Sequence, residues 1–132
     1  MEKNEWEVSN HQMLEARYGH SCLYLDNAVI AVGGIGTKTT EIFDLNLEFW
    51  RYGGDLPKKS AYVSLLKSNP SSEYRAILIG GKSDNRDVHS AIYGLTKDLR
   101  TFEKIGNLKV PRYGHVAMVL PEKSVNNCVD EN

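Results

Sequence analysis

Cysteine is nearly absent from the chain. Cys22 and Cys128 are its only two, too few for a disulfide-stapled scaffold or a four-thiolate zinc site. An excess of one charge is missing too, with sixteen Lys and Arg against seventeen Asp and Glu, a formal −1 over 132 residues. A surface built mainly to hold nucleic-acid phosphates or an anionic membrane wants clustered excess cations, so neither is expected as partner. No apolar run approaches the ~20 residues that cross a bilayer. The start, Met1-Glu2-Lys3-Asn4-Glu5-Trp6, lacks the basic and then apolar character of a secretory leader. Asn69 alone has the spacing of a glycan acceptor, and Pro70 blocks it. A cytoplasmic protein is expected, with an extracellular setting left open. Helical periodicity sustained over three turns is also lacking. What is present, 41% apolar and 25% charged residues, is the composition of one folded domain rather than a disordered tail.

The informative feature is repetition. Arg17-Tyr18-Gly19-His20 returns letter for letter as Arg112-Tyr113-Gly114-His115, 95 residues on. Gly33-Gly34, after the apolar run 28–32, returns as Gly80-Gly81 after 76–79, a displacement of 47 and close to half of the first. A degenerate middle copy aligns Leu56-Pro57-Lys58-Lys59-Ser60-Ala61 with Val110-Pro111-Arg112-Tyr113-Gly114-His115. Ile42-Phe43-Asp44-Leu45 matches Ile92-Tyr93-Gly94-Leu95 at a shift of 50, and Trp50 matches Phe102 at 52. That drift implies a short insertion in the later loops of the second unit, while 68–73 adds length earlier.

Within each unit, short β-branched or apolar runs bounded by turn formers predict four strands. They fall at 20–25, 28–32, 40–45 and 48–52, then at 62–67, 75–79, 90–95 and 101–105. The second strand of each unit is almost wholly apolar, as when both faces are buried. Four-stranded antiparallel units at this period are blades of a β-propeller. A strand around Trp6 and another at 115–120 flank them. The expected fold is therefore all-β, an incomplete propeller of two four-stranded antiparallel blades with one flanking strand at each end. Residues 1–16 end a preceding blade and link it, 17–56 form the first blade and 57–109 the second. Residues 110–121 open a third, and 122–132 form a polar tail. Fewer than four blades cannot close a ring, so a fragment of a longer protein is expected, able to self-associate through its blade edges.

The succession Arg17-Tyr18-Gly19-His20, Gly33-Gly34, Glu41-Ile42-Phe43-Asp44 and Trp50 resembles the kelch motif, over most of the chain. The second unit keeps Gly80-Gly81 and Tyr93, but Lys58, Ser60, Ala61, Gly94 and Phe102 stand where Arg, Gly, His, Asp and Trp are expected. Arg112, Gly114 and His115 open the third. Phe43 and Trp50 are suited to filling the gap between blades. Arg17 and Arg112 have Glu41 or Asp44 as possible ion-pair partners that fix blade geometry. His20 and His115, at one repeat position, are expected to be structural. The resemblance implies a protein-interaction module. BTB-kelch adaptors of cullin ubiquitin ligases, actin binders and oxidase-like propellers are its alternatives.

No catalytic set is expected. Cys22 falls in a strand predicted to be buried, and no Gly-x-Ser-x-Gly turn occurs. Asp84, Asp87 and His89 share a loop with Arg86, which reads as solvated rather than as a cation site. No cofactor or metal is called for. Recognition is expected instead on the face where the loops between second and third strands meet the blade-to-blade connections. There lie Lys38, Thr39, Lys58, Asp84, Asn85, Arg86, Asp87 and Tyr113, with Arg86 the expected carboxylate clamp for a partner protein.

Overall fold

A computed structural model describes residues 4–120; the polar tail and Cys128 lie outside the described residues. Two four-stranded antiparallel sheets form, each with its strands in chain order, and no helix forms among the described residues. The first sheet holds β1 (Ser21–Leu25), β2 (Ala28–Val32), β3 (Thr40–Asp44) and β4 (Phe49–Tyr52). The second holds β5 (Ser64–Lys67), β6 (Tyr74–Ile79), β7 (Ala91–Thr96) and β8 (Phe102–Asn107). All eight lie close to their expected positions because the turns are strongly encoded. Asp26 and Asn27, both at positive φ, make a two-residue turn that pairs Leu25 with Ala28. Asp44 closes the next hairpin, its Oδ1 accepting from the amides of Asn46 (2.9 Å) and Leu47 (3.1 Å).

The pleat sorts the side chains. Leu23, Leu25, Ile30, Val32 and Ile42 leave one face of the first sheet and join Ala76, Leu78, Leu95 and Phe102 of the second in a single core. When Gly33 is laid on Gly80, the positions matching these last four are Val29, Ala31, Phe43 and Trp50, on the opposite face of the first sheet. The sheets thus stack with unlike faces in contact, which leaves one open face at each end. The expectation that β2 and its counterpart are buried on both sides is met at Ile30, Ala31 and Val32 and not elsewhere. Val29, Ile77 and Ile79 are only half-buried, because only one sheet-to-sheet interface exists among the described residues.

The repeat also lives in hydrogen bonds between successive units. Gly34 N donates to Ser60 O, and Gly81 N to Arg112 O, each at 2.9 Å. Tyr62 N donates to Gly19 O (2.8 Å), and Gly114 N to Tyr62 O (2.9 Å). Ser21 Oγ reaches Val63 O at 2.6 Å as Ser64 Oγ reaches His115 O at 2.5 Å. A Cβ on Gly33 would collide with the Ser60 carbonyl, and one on Gly80 with that of Arg112.

These bonds correct the middle copy. Ser60, Tyr62 and Val63 take the places of Arg, Gly and His, not Lys58, Ser60 and Ala61. Tyr62 at φ 53° stands where Gly19 and Gly114 each sit at 63°. Two residues, Lys58 and Lys59, intervene after Pro57, which hid the register. The third strand needs a similar correction. Ala31 pairs with Glu41 and Leu78 with Tyr93, so Tyr93 replaces Glu41, Leu95 replaces Phe43 and Gly94 replaces Ile42. The whole drift therefore falls between β6 and β7, in the loop that carries Asp84 to Asp87.

Neither flanking strand forms. Residues around Trp6 carry no regular secondary structure and Trp6 is fully exposed, while 115–120 carry no strand pairing. Each strand among the described residues pairs only within its own sheet. The neighbours that either segment would need are not among the described residues.

Candidate functional site

The loops on the expected face converge, and their side chains divide into those engaged internally and those presented to solvent. Arg17 belongs to the first group. Its side chain is fully buried, with Nη1 donating to the carbonyls of Gly33 (2.8 Å) and Thr39 (3.0 Å) and Nη2 pairing with Glu41 Oε1 at 2.5 Å. Glu41, equally buried, also accepts from the amides of Leu14 (2.7 Å) and Glu15 (3.0 Å). Every bond here fixes one stretch of backbone against another, so the expected Arg17–Glu41 pairing is a structural clamp. Thr39 is part of it: its hydroxyl donates to Glu15 Oε2 (2.7 Å) and accepts from Arg17 Nη2 (3.2 Å). That hydroxyl also holds the Glu15 carboxyl below its ordinary pKa. Thr39 is thus not on offer at the surface. Phe43 and Trp50 pack with their rings tilted, centroids 5.2 Å apart, and Trp50 Nε1 donates to His11 O.

The second unit fills the same space differently. Ser60, in the place of Arg17, bonds through Oγ to His89 Nδ1 at 2.9 Å, and His89 Nε2 lies 3.6 Å from Asp87 Oδ2. His89 is 3% exposed rather than part of a solvated loop, and Ser60 is 5% exposed. Burial pushes the His89 pKa down, with Lys58 adding to the effect against Asp87. The Ser60 hydroxyl and the His89 ring are thus in internal contact, while Asp87 at the far side of the ring is exposed. Cys22 was expected to be buried and is exposed, because its face of β1 has no sheet against it. Enough atoms still crowd its sulfur for desolvation to push the thiol pKa up. His20 and His115 are likewise pushed down by burial, and neither lies in a group able to hold a metal among the described residues.

The solvent side of this face is built by the 82–90 loop leaning on its neighbours. Asp84 Oδ1 accepts from Gly36 N at 2.9 Å, tying it to the equivalent loop of the first sheet. Asp87 Oδ2 pairs with Lys58 Nζ at 3.1 Å, tying it to the connection between sheets, and Lys38 pairs with Asp55 at 3.2 Å. Asn85 accepts from the Ser83 hydroxyl. Lys58, Lys59, Ser83, Asp84, Asn85 and Asp87 enclose an open cleft of ≈ 380 Å³. Arg86 sits at the tip with φ 66°, held by turn bonds from Arg86 N to Ser83 O (3.2 Å) and Ser83 N to Asp87 O (3.0 Å). Its guanidinium makes no ion pair or hydrogen bond among the described residues. Tyr113 is exposed, and Lys82 Nζ lies 4.7 Å from its ring centre and 5.3 Å from that of Tyr62. The structure thus links Asp84 to the Gly36 loop and Lys58 to Asp87, and adds two residues that sequence reasoning missed, Tyr62 and Lys82. Only the correct alignment of the middle copy would have revealed them, since it places Tyr62 beside Gly19 and Lys82 just after Gly81.

No protein-family model matches the chain, and no curated protein is significantly similar to it.

Proposed function

We propose that this chain is a kelch-type interaction module whose two sheets are successive propeller blades holding a loop surface for a partner protein. The stacking of unlike faces supports the blade reading, as does the repetition of three inter-unit hydrogen bonds at matching positions. The double-glycine motif gains a physical reason: Gly33 and Gly80 are where the next unit's backbone crosses. Open faces at Val29, Phe43 and Trp50 and at Ile77 and Ile79 are then sites for neighbouring blades, of a longer chain or of a second copy.

The observation that carries the binding reading is Arg86. A guanidinium fixed at the tip of a loop by backbone turn bonds, and engaged by no carboxylate of its own, is prepared for a carboxylate supplied from outside. Lys82 between two tyrosines gives the same surface a flat aromatic element, a residue type enriched where proteins bind one another. The Ser60–His89–Asp87 contact is a packing substitute for Arg17, so the reading assigns no catalysis.

Quantitative capture of partner protein by the wild-type chain, by Arg86→Ala and by Glu48→Gln at the exposed β3–β4 turn tests this. Recovery should fall at least tenfold for Arg86→Ala, the scale of one charge-assisted hydrogen bond (about 1.5–3 kcal/mol), and stay level for Glu48→Gln. Equal recovery with all three proteins would remove Arg86 from the account.

A further inference from the structure

We propose that the face opposite these loops carries a second site, one that binds a phosphate group. The connection from β5 to β6, 68–73, is six residues long where that from β1 to β2 is the two-residue turn at Asp26 and Asn27. Its extra length walls a cleft of ≈ 190 Å³ floored by Leu25 and bordered by Asp26, Lys67, Arg75 and Lys97. Three cations and one carboxylate line the cleft itself, a lining charge of +2, with Glu73 at the end of the same loop outside the lining.

The arrangement of these cations is built rather than scattered. The β6–β7 register slips between Tyr74 and Ala76, so Arg75 is a bulge residue, drawn out of the ladder at the cleft. Bulges re-aim side chains in this way beside functional sites. Asp26 pairs with both Arg75 Nη2 and Lys67 Nζ, the latter at 3.5 Å, and so holds the two side by side. Two donors remain unused. Arg75 Nε is buried without an acceptor, and Lys97, at the start of the β7–β8 turn, makes no ion pair among the described residues. The exposed Lys97 ammonium and the partly exposed Arg75 guanidinium can each donate to a bound oxyanion. Serine hydroxyls and the Asn69 amide of the loop complete a polar border.

The charge and the size select the ligand. A dianionic phosphate balances +2, whereas the cleft is smaller than the ~300–1,000 Å³ that organic cofactors and metabolites occupy. The phosphate could be free or carried on a partner's side chain, and both present the same chemistry.

Nuclear magnetic resonance titration of the full chain at pH 7.5 tests the site. Inorganic phosphate is compared with potassium chloride at equal ionic strength, and the spectrum of each variant reports whether it is folded. Saturable shifts should be confined to Asp26, to 67–75 and to Lys97. Lys97→Gln should weaken binding about tenfold, Arg75→Gln by at least as much, and Lys109→Gln, beyond β8, should leave it unchanged. In a second arm, a short phosphoserine peptide binding more tightly than inorganic phosphate identifies a phosphorylated partner as the source, and equal binding identifies free phosphate. Shifts that chloride reproduces, that never saturate, or that persist undiminished in Lys97→Gln would overturn the proposal.

Discussion

Arg17 and Glu41 are both fully buried, and each is held by further backbone bonds. A buried pair is weak evidence for stability, yet removing one partner leaves an uncompensated charge, at a cost of about 3–5 kcal/mol. Glu41→Gln should therefore destabilise the chain by that order, as read by urea unfolding, while Glu48→Gln at the exposed turn should change stability by less than about 0.5 kcal/mol. The buried His89 and the half-buried His20 and His115 give a second prediction. Burial lowers the pKa of His20, His89 and His115, so each stays neutral in the fold where the unfolded chain, with its ordinary value of about 6.5, takes up a proton. The unfolded state then binds more protons, and stability falls as pH drops below about 6.5. The melting temperature should be lower at pH 5.5 than at pH 7.5, and a flat profile over that interval would contradict it. Carboxylates such as Glu15, with pKa lowered first by the Thr39 hydroxyl, act only further into the acid range.

The turns and glycines at element scale were legible in the sequence because each is chosen by backbone geometry alone. Asp26-Asn27 and the paired glycines fixed strand ends to within two residues. What was not legible is register. The middle copy lost Arg, Gly and His together, and the structure replaces them by Ser60 with His89, by Tyr62 in a left-handed conformation and by Val63. Such compensation is tertiary, with Ser60 and His89 29 residues apart, and leaves no local pattern to read. Cys22 and the flanking segments were misjudged for a related reason. Burial and strand formation there need neighbours that the described residues lack. The glycine contacts yield a prediction at this scale. Gly33→Ala places a Cβ in the left-handed region, costing about 1–2 kcal/mol, and against the Ser60 carbonyl besides. It should destabilise by more than 2 kcal/mol in thermal or urea unfolding. Gly106→Ala, whose nearest contact is the Ile92 side-chain end at 3.8 Å, meets no such obstacle and should cost less than half as much.

At the scale of the whole molecule, one relation organises the rest: the two sheets meet through unlike faces, that of Ile30 and Ile42 on the first and that of Leu78 and Leu95 on the second. The loop surface with Arg86, the clamp at Arg17 and the crossing at Gly33 all follow from placing successive sheets side by side. The open faces follow as well, since a stack of unlike faces ends in two different surfaces rather than in a closed pair. Methyl-to-methyl nuclear Overhauser contacts test that relation most directly. The account predicts cross-peaks from Ile30, Val32 and Ile42 to Leu78 and Leu95, and none from Val29 to any methyl of the second sheet. Cross-peaks from Val29 to Leu78 or Leu95, or no contact at all between the two sheets, would contradict it.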